Sequence, residues 1–213
     1  MSDTPAPRIT SPRQRRAVET REALLQSVEQ LVATEGWEAV TTTRVAELTN
    51  MAVGTIYRYF ADREALLLCA YDATVTRLVN ICHETLESLP ADIGMHDAAR
   101  RLLEIYLDAA EGIPAHAGLL KAMRRLRPLE ADQSAEPGQI VSELVEPFFA
   151  RFAPAGQTDR LQLQLVSAVL ITLVDLYLVS PEESRPRLRR ELEAHLIFML
   201  DRIAGAPDDA RAG

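Results

Sequence analysis

The chain has little with which to do covalent chemistry. Its 213 residues include only two cysteines, Cys69 and Cys82. Both fall in what reads as one helix, and a step of about 100° per residue over that spacing puts them on different faces, so they form no disulfide with each other. No third cysteine offers a partner, and a reducing, cytoplasmic setting is expected. The opening stretch MSDTPAPRITSPRQRR has no apolar signal-peptide core, so export is not expected. The most apolar run, Leu161 to Val179, is interrupted by Gln162, Gln164, Ser167 and Asp175, which argues against a membrane span. Nucleophile elbow, glycine-rich phosphate loop, strand alternation and internal repeat are all missing. No catalytic residue is therefore assigned and no cofactor is expected.

Histidine is equally sparse. Asp92 with His96, and Glu191 with His195, stand at i,i+4, but neither pair has an evident third ligand, and solvated helical pairs are the commoner outcome. No metal is expected. Lysine occurs once, at Lys121, so the basic side chains are otherwise arginine.

What is present is apolar content of 47% and a net charge of −8 that is unevenly spread. Residues 1 to 63 hold eight basic and eight acidic side chains, whereas residues 64 to 213 hold fifteen and twenty-three, so the negative excess is entirely C-terminal. A polyanionic partner is tolerated by the first part and disfavoured by the second, which points to two jobs on one chain.

Helical periodicity organises the whole sequence. Ser11-Pro12-Arg13-Gln14 has the form of a capping box, and Leu24, Leu25, Val28, Leu31 and Val32 keep helical spacing until Gly36. Thr41 can cap a short second helix, and a third is expected over about 53 to 59. Asp62 caps a long fourth helix that runs to Pro90. Further helices are expected at about 94 to 111, 114 to 127, 137 to 152, 157 to 179 and 186 to 204. Between the second and third, Asn50 is the best non-glycine choice for a residue at positive φ, which makes Thr41 to Tyr59 a helix-turn-helix candidate. The stretch NMAVGTIYRYFADREALL, from Asn50 to Leu67, then presents Thr55, Tyr57, Arg58, Tyr59 and Arg63 together.

From Gly36 to Leu67, GWEAVTTTRVAELTNMAVGTIYRYFADREALL resembles the DNA-binding signature of the TetR family of bacterial transcriptional regulators. The resemblance is close over about residues 15 to 75. Elsewhere it rests on length, helical character and an apolar helix pair near the C-terminus. Asn50, Met51, Ala52 and Arg63 depart from the usual glycine, valine, serine and lysine. The resemblance implies an all-α protein of about nine helices, divided into a basic arm (1–11), a three-helix DNA-binding domain (12–61) and an effector-binding and dimerisation domain (62–213). It also implies double-stranded operator DNA, a homodimer and a small-molecule effector as partners, and no membrane. A helical ligand-binding or adaptor protein without operator binding is the alternative that the neutral N-terminal part keeps open.

The comparison with the family places Thr42, Thr55, Tyr57, Tyr59 and Arg63 among phosphate contacts, with Arg44 as a further backbone candidate, and Val53, Gly54 and Arg58 near the bases. Their chemistry fits: hydroxyls donate to phosphate oxygens, glycine admits close backbone approach, and arginine can fork onto a guanine edge. A cation in the first helical turn opposes the macrodipole by about 0.3 to 1 kcal/mol, so the position of Arg63 suggests a nearby anion. Ile105, Tyr106, Met123, Leu126, Phe148, Phe149 and Phe152 are candidates for an effector cavity, with Arg124, His116 or Tyr106 as polar anchors. Leu161 to Val179 is apolar almost all round and needs cover beyond its own core. Leu170, Val174, Tyr177, Leu192, Leu196 and Met199 are the expected dimer contacts.

Overall fold

The computed structural model describes residues 12–127, 138–153 and 160–204. The proposed arm and the capping residue Ser11 lie outside them, as do the expected helix starts at 137 and 157. Helix α1 spans Pro12–Glu35, and the ring of Pro12 at the first helical position costs no hydrogen bond there. Gly36 ends it at φ 88, a conformation that glycine adopts without strain, and a 3-10 turn over Trp37–Ala39 follows.

Thr41 caps α2 (Thr42–Thr49) by accepting from the Arg44 amide at 3.1 Å. Asn50 then turns the chain at φ 51, the left-handed geometry expected of it. Helix α3 is shorter than expected. It covers Val53–Ile56 only, with no side-chain cap from Ala52. Residues 57 to 59 continue as turns, with Arg58 N–H donating to Thr55 O and Tyr59 N–H to Ile56 O, the i to i−3 pattern of a helix tightening as it ends. Asp62 caps α4 (Arg63–Ser88) by accepting from the Ala65 amide at 2.7 Å.

Five helices complete the described fold: α5 (Met95–Glu111), α6 (His116–Leu126), α7 (Glu146–Phe152), α8 (Arg160–Val179) and α9 (Arg185–Ala204). A π-helical turn, Val141–Val145, leads into α7. Among the described residues every regular element is helical.

Apolar burial forms three clusters strung along α4. The first joins Leu24, Val28, Val45, Ile56 and Phe60 to Leu66 and Ala70 of α4 and Leu119 of α6. That core therefore continues past residue 62 into the part assigned to the effector. The others gather α4, α5, α8 and α9, with α7 at one end and α6 at the other. Where α6 crosses α1, a Cβ built on Gly118 would stand 2.5 Å from Val32 Cγ1, so the helices approach as closely as they do because position 118 has no side chain.

Candidate nucleic-acid interface and effector cavity

The turn at Asn50 throws α3 outward, and its residues divide by face. Ile56 is fully buried under the head while Val53, Gly54, Tyr57 and Arg58 are exposed. Tyr57 keeps 54% of its surface, which a packing role alone does not require of a large ring. Thr42 and Thr55 are half-buried beside this surface. Tyr59 is half-buried against the first core, 6.5 Å from the Phe60 ring, and the Arg58 guanidinium lies 5.9 Å over its face. Stacking on Tyr59 holds Arg58 without an acidic partner of its own among the described ion pairs.

Two arginines are engaged within the fold. Arg44 pairs with Glu35 at 2.7 Å and with Glu47 at 3.5 Å, and these contacts raise its pKa. Arg63 donates from Nε to the carbonyl of Val40 at 2.5 Å and from Nη2 to the carbonyl of Trp37 at 2.9 Å, with its guanidinium 5.5 Å over the Trp37 ring. The partial negative charge that accounts for a cation at this helix start thus comes from carbonyls closing the 3-10 turn, where the sequence suggested an anion.

A cavity of about 140 Å³ opens between α4, α5, α7, α8 and α9. Of the seven effector candidates, Tyr106, Phe148 and Phe149 line it, the two phenyl rings meeting edge to face at 5.4 Å. The other four do not. Met123 is buried in the third cluster, Leu126 packs on the first, and Ile105 and Phe152 pack on the second. These positions have the same helical spacing, but the crossing of the helices turns them into separate cores.

The residues expected at a dimer interface pack within the protomer. Leu170, Val174 and Leu196 line the cavity. Tyr177 and Leu192 are each 2% exposed inside the protomer, with the Tyr177 hydroxyl donating to Glu111, and Met199 is half-buried against the second cluster. The face of α8 left open carries Leu161, Leu165, Val169, Leu176 and Val179, with Phe198 of α9 59% exposed. Among the described residues, α4 and α8 are both long and apolar enough to cross a membrane. The buried share of that apolar stretch is 44% in α4 but 22% in α8.

Of the three polar anchors suggested by the sequence, Tyr106 lines the cavity while Arg124 and His116 do not, and Asp175, Ser167 and Tyr71 were missed. Asp175 lines it and is held from α6 by Arg124, whose Nε donates to Oδ2 at 2.6 Å. The signal was a carboxylate within an otherwise apolar helix. Tyr71 also lines the cavity and stacks at 6.1 Å on His116. His116 is 2% exposed and its Nδ1 has no partner among the described residues. Burial, with Arg77 adding to it, pushes that imidazole down to about 4. Burial, then the nearby Tyr71 and Asp175, pushes the Tyr106 phenol above its ordinary range. His96 meets Asp201 at 2.8 Å, and among the described residues no three His, Cys, Asp or Glu side chains gather as a metal site would need.

A left-handed turn between two short helices, with polar and basic side chains exposed on the second, on an all-helical body, is the arrangement of a helix-turn-helix head. Residues 24–70 match the bacterial regulatory proteins of the tetR family, a match confined to the helix-turn-helix head and the start of α4. No curated protein shows significant sequence similarity to the chain. Among solved structures it is similar to a TetR-family transcriptional regulator from Streptomyces coelicolor, at 16% identity and TM-score 0.60 over 86% of this chain and 98% of the other. It is similar also to the TetR family repressor AlkX from a Dietzia strain, implicated in biodegradation of n-alkanes, at 15% identity and TM-score 0.57, covering 86% and 96%. The fatty acid degradation regulator FadR from Bacillus halodurans matches at 15% identity and TM-score 0.53, covering 89% and 96%.

Proposed function

We propose that the chain is a cytoplasmic homodimeric repressor that binds a near-palindromic operator through α2 and α3 and is released by a small apolar or amphipathic effector held in the cavity. In this reading residues 12–61 form the DNA-binding domain and residues 62–213 the effector and dimerisation domain. The observation that carries it is the outward face of α3, where Val53, Gly54, Tyr57 and Arg58 stand exposed on a head whose core is otherwise closed. Tyr57, Thr55 and Thr42 supply uncharged donors for phosphate oxygens, and Arg58 can reach a base edge. Dimerisation is supported by α8, whose leucines and valines stand exposed in a row along one face, the kind of apolar surface that marks an interaction site. A second copy laid on that stripe by a two-fold axis would present the two heads to half-sites roughly 34 to 36 Å apart, or a widened version of that spacing. The apolar cavity agrees with an apolar effector, as does the n-alkane connection of AlkX.

A gel shift with the upstream region of the chain's own gene is the direct test. Retarded mobility is expected, and Arg58→Ala should cost about 1 to 3 kcal/mol while relaxing preference at one position per half-site. Tyr57→Phe should weaken all sequences alike. Unchanged mobility at low salt across neighbouring promoters would instead favour the adaptor. By light scattering, Leu165→Glu with Phe198→Glu should convert a dimer to a monomer, and a dimer that persists would place the interface elsewhere.

A further inference from the structure

The cavity wall has a polarity that its apolar bulk conceals. Among the described residues that line it, Asp175 is the one charged side chain, and no Lys, Arg or His is present. Arg124 holds Asp175 from the α6 side and does not itself line the space. Ser167, 3% exposed, commits its hydroxyl hydrogen to the Leu163 carbonyl at 2.6 Å, so toward the cavity its oxygen can only accept. The remaining polar groups are the Tyr71 and Tyr106 hydroxyls, which can serve either way. Because Arg124 already compensates Asp175, a carboxylate brought into this space would meet accepting oxygens and no further cation on the wall, whereas an N–H or O–H head would find acceptors. The volume is close to that of an engineered apolar cavity of about 150 Å³ that holds benzene, which suits an apolar body of about one ring with a short arm.

We propose that the effector is a compact amphipathic molecule with an apolar body and a hydrogen-bond-donating amine or alcohol head received by Asp175, and that carboxylates are rejected. This rests on the effector reading given above. The apolar body lies against Phe148, Phe149 and Leu170, and Tyr106 shares the head with Asp175. A fatty acid, the class in FadR's description, is thereby disfavoured through its carboxylate.

Four probes with nearly the same body separate these features: 2-phenylethylamine, 2-phenylethanol, phenylacetate and ethylbenzene, titrated calorimetrically into the full-length protein. The amine and the alcohol should bind at least tenfold more tightly than phenylacetate. Asp175→Asn, checked for an unchanged helical signal and melting profile, should weaken the amine at least tenfold and leave ethylbenzene unaffected. Because that substitution also disturbs Arg124, Tyr106→Phe provides a second arm and should weaken amine and alcohol several-fold but not ethylbenzene. Phenylacetate binding as tightly as the amine, or an amine affinity indifferent to both substitutions, overturns the assignment. If all four bind alike, the cavity still takes an effector but not by its head. If none binds, the assignment falls together with the effector reading.

Discussion

Gly118→Ala tests whether the crossing of α6 on α1 is held at contact distance by the absence of one methyl group. The added Cβ would lie 2.5 Å from Val32 Cγ1, whereas non-bonded carbons rest at about 3.5 to 4.0 Å, so roughly 1 Å has to be found. Val32 is 5% exposed and β-branched, with a single favoured rotamer in a helix, so the obstructing methyl has nowhere to swing. The helices must part, and overpacking of this kind costs about 1 to 3 kcal/mol. Alanine returns up to about 1 kcal/mol of helix propensity, leaving a net loss near 1 kcal/mol. For a chain of this size that lowers Tm by about 2 to 4 °C. Val32→Ala removes Cγ1, and in that background Gly118→Ala should reverse sign and stabilise by up to about 1 kcal/mol. The coupling from a double-mutant cycle, read by circular dichroism in urea at one fixed protein concentration, should be about 1 to 3 kcal/mol. Equal effects of Gly118→Ala in both backgrounds would refute the packing argument.

The remaining predictions concern a buried base, a turn and a helix start. His116 sits at about 4 when folded and near 6.5 when unfolded, so the unfolded chain binds the extra proton. Stability should therefore be flat above pH 6.5, fall as pH drops toward 4, and be lower by about 2 kcal/mol at pH 5. Urea titrations of His116→Leu should lack that component, and a variant with the wild-type slope would exclude His116 as its source. Asn50→Ala forces a Cβ-bearing residue without a local hydrogen-bonding side chain into φ 51, and should cost about 1 to 2 kcal/mol, whereas Asn50→Gly should be neutral or stabilising in the same melt. Arg63→Ala should destabilise the head by about 1 to 3 kcal/mol through loss of its charged donors to carbonyls, and Arg63→Lys should not restore it, since an ammonium has no fork to span Val40 and Trp37. A melting profile unmoved by either change would leave phosphate contact as the better account of that residue.

Features written in local chemistry were legible. Thr41 and Asp62 cap because a side-chain oxygen near an orphan amide needs no knowledge of the rest of the fold, and Asn50 turns left-handed for an equally local reason. The outward face of α3 was legible too, since a stretch this short shows one periodicity. The cavity was not. Tyr106 and Met123 both lie on amphipathic helices, yet one faces the space and the other a closed core, and that difference arises from how α5 and α6 cross α8. Apolar content all round α8 erased the phase that distinguishes its sides. Leu170 and Val174 were accordingly given to a partner, while Leu165, Val169 and Leu176 on the opposite side carry the open stripe. The one residue that did mark the phase was Asp175, read only as an interruption of an apolar run.

An occupant of the cavity can alter the head only through elements that both touch, and only to the extent that it favours one arrangement of them. Two helices qualify. Helix α4 begins at the Arg63 tie to the 3-10 turn and passes the cavity at Tyr71. Helix α6 lends Leu119 to the head's core, meets α1 at Gly118 and grips Asp175 through Arg124. Because the first core is built from both parts of the chain, α6 cannot shift along α8 without moving Val32 or opening a void beside it, and close-packed interiors resist both. The short approach at Gly118 therefore leaves no slack at the junction, which makes α6, as much as the longer α4, the element through which a ligand's grip on Asp175 would reach the outward face of α3.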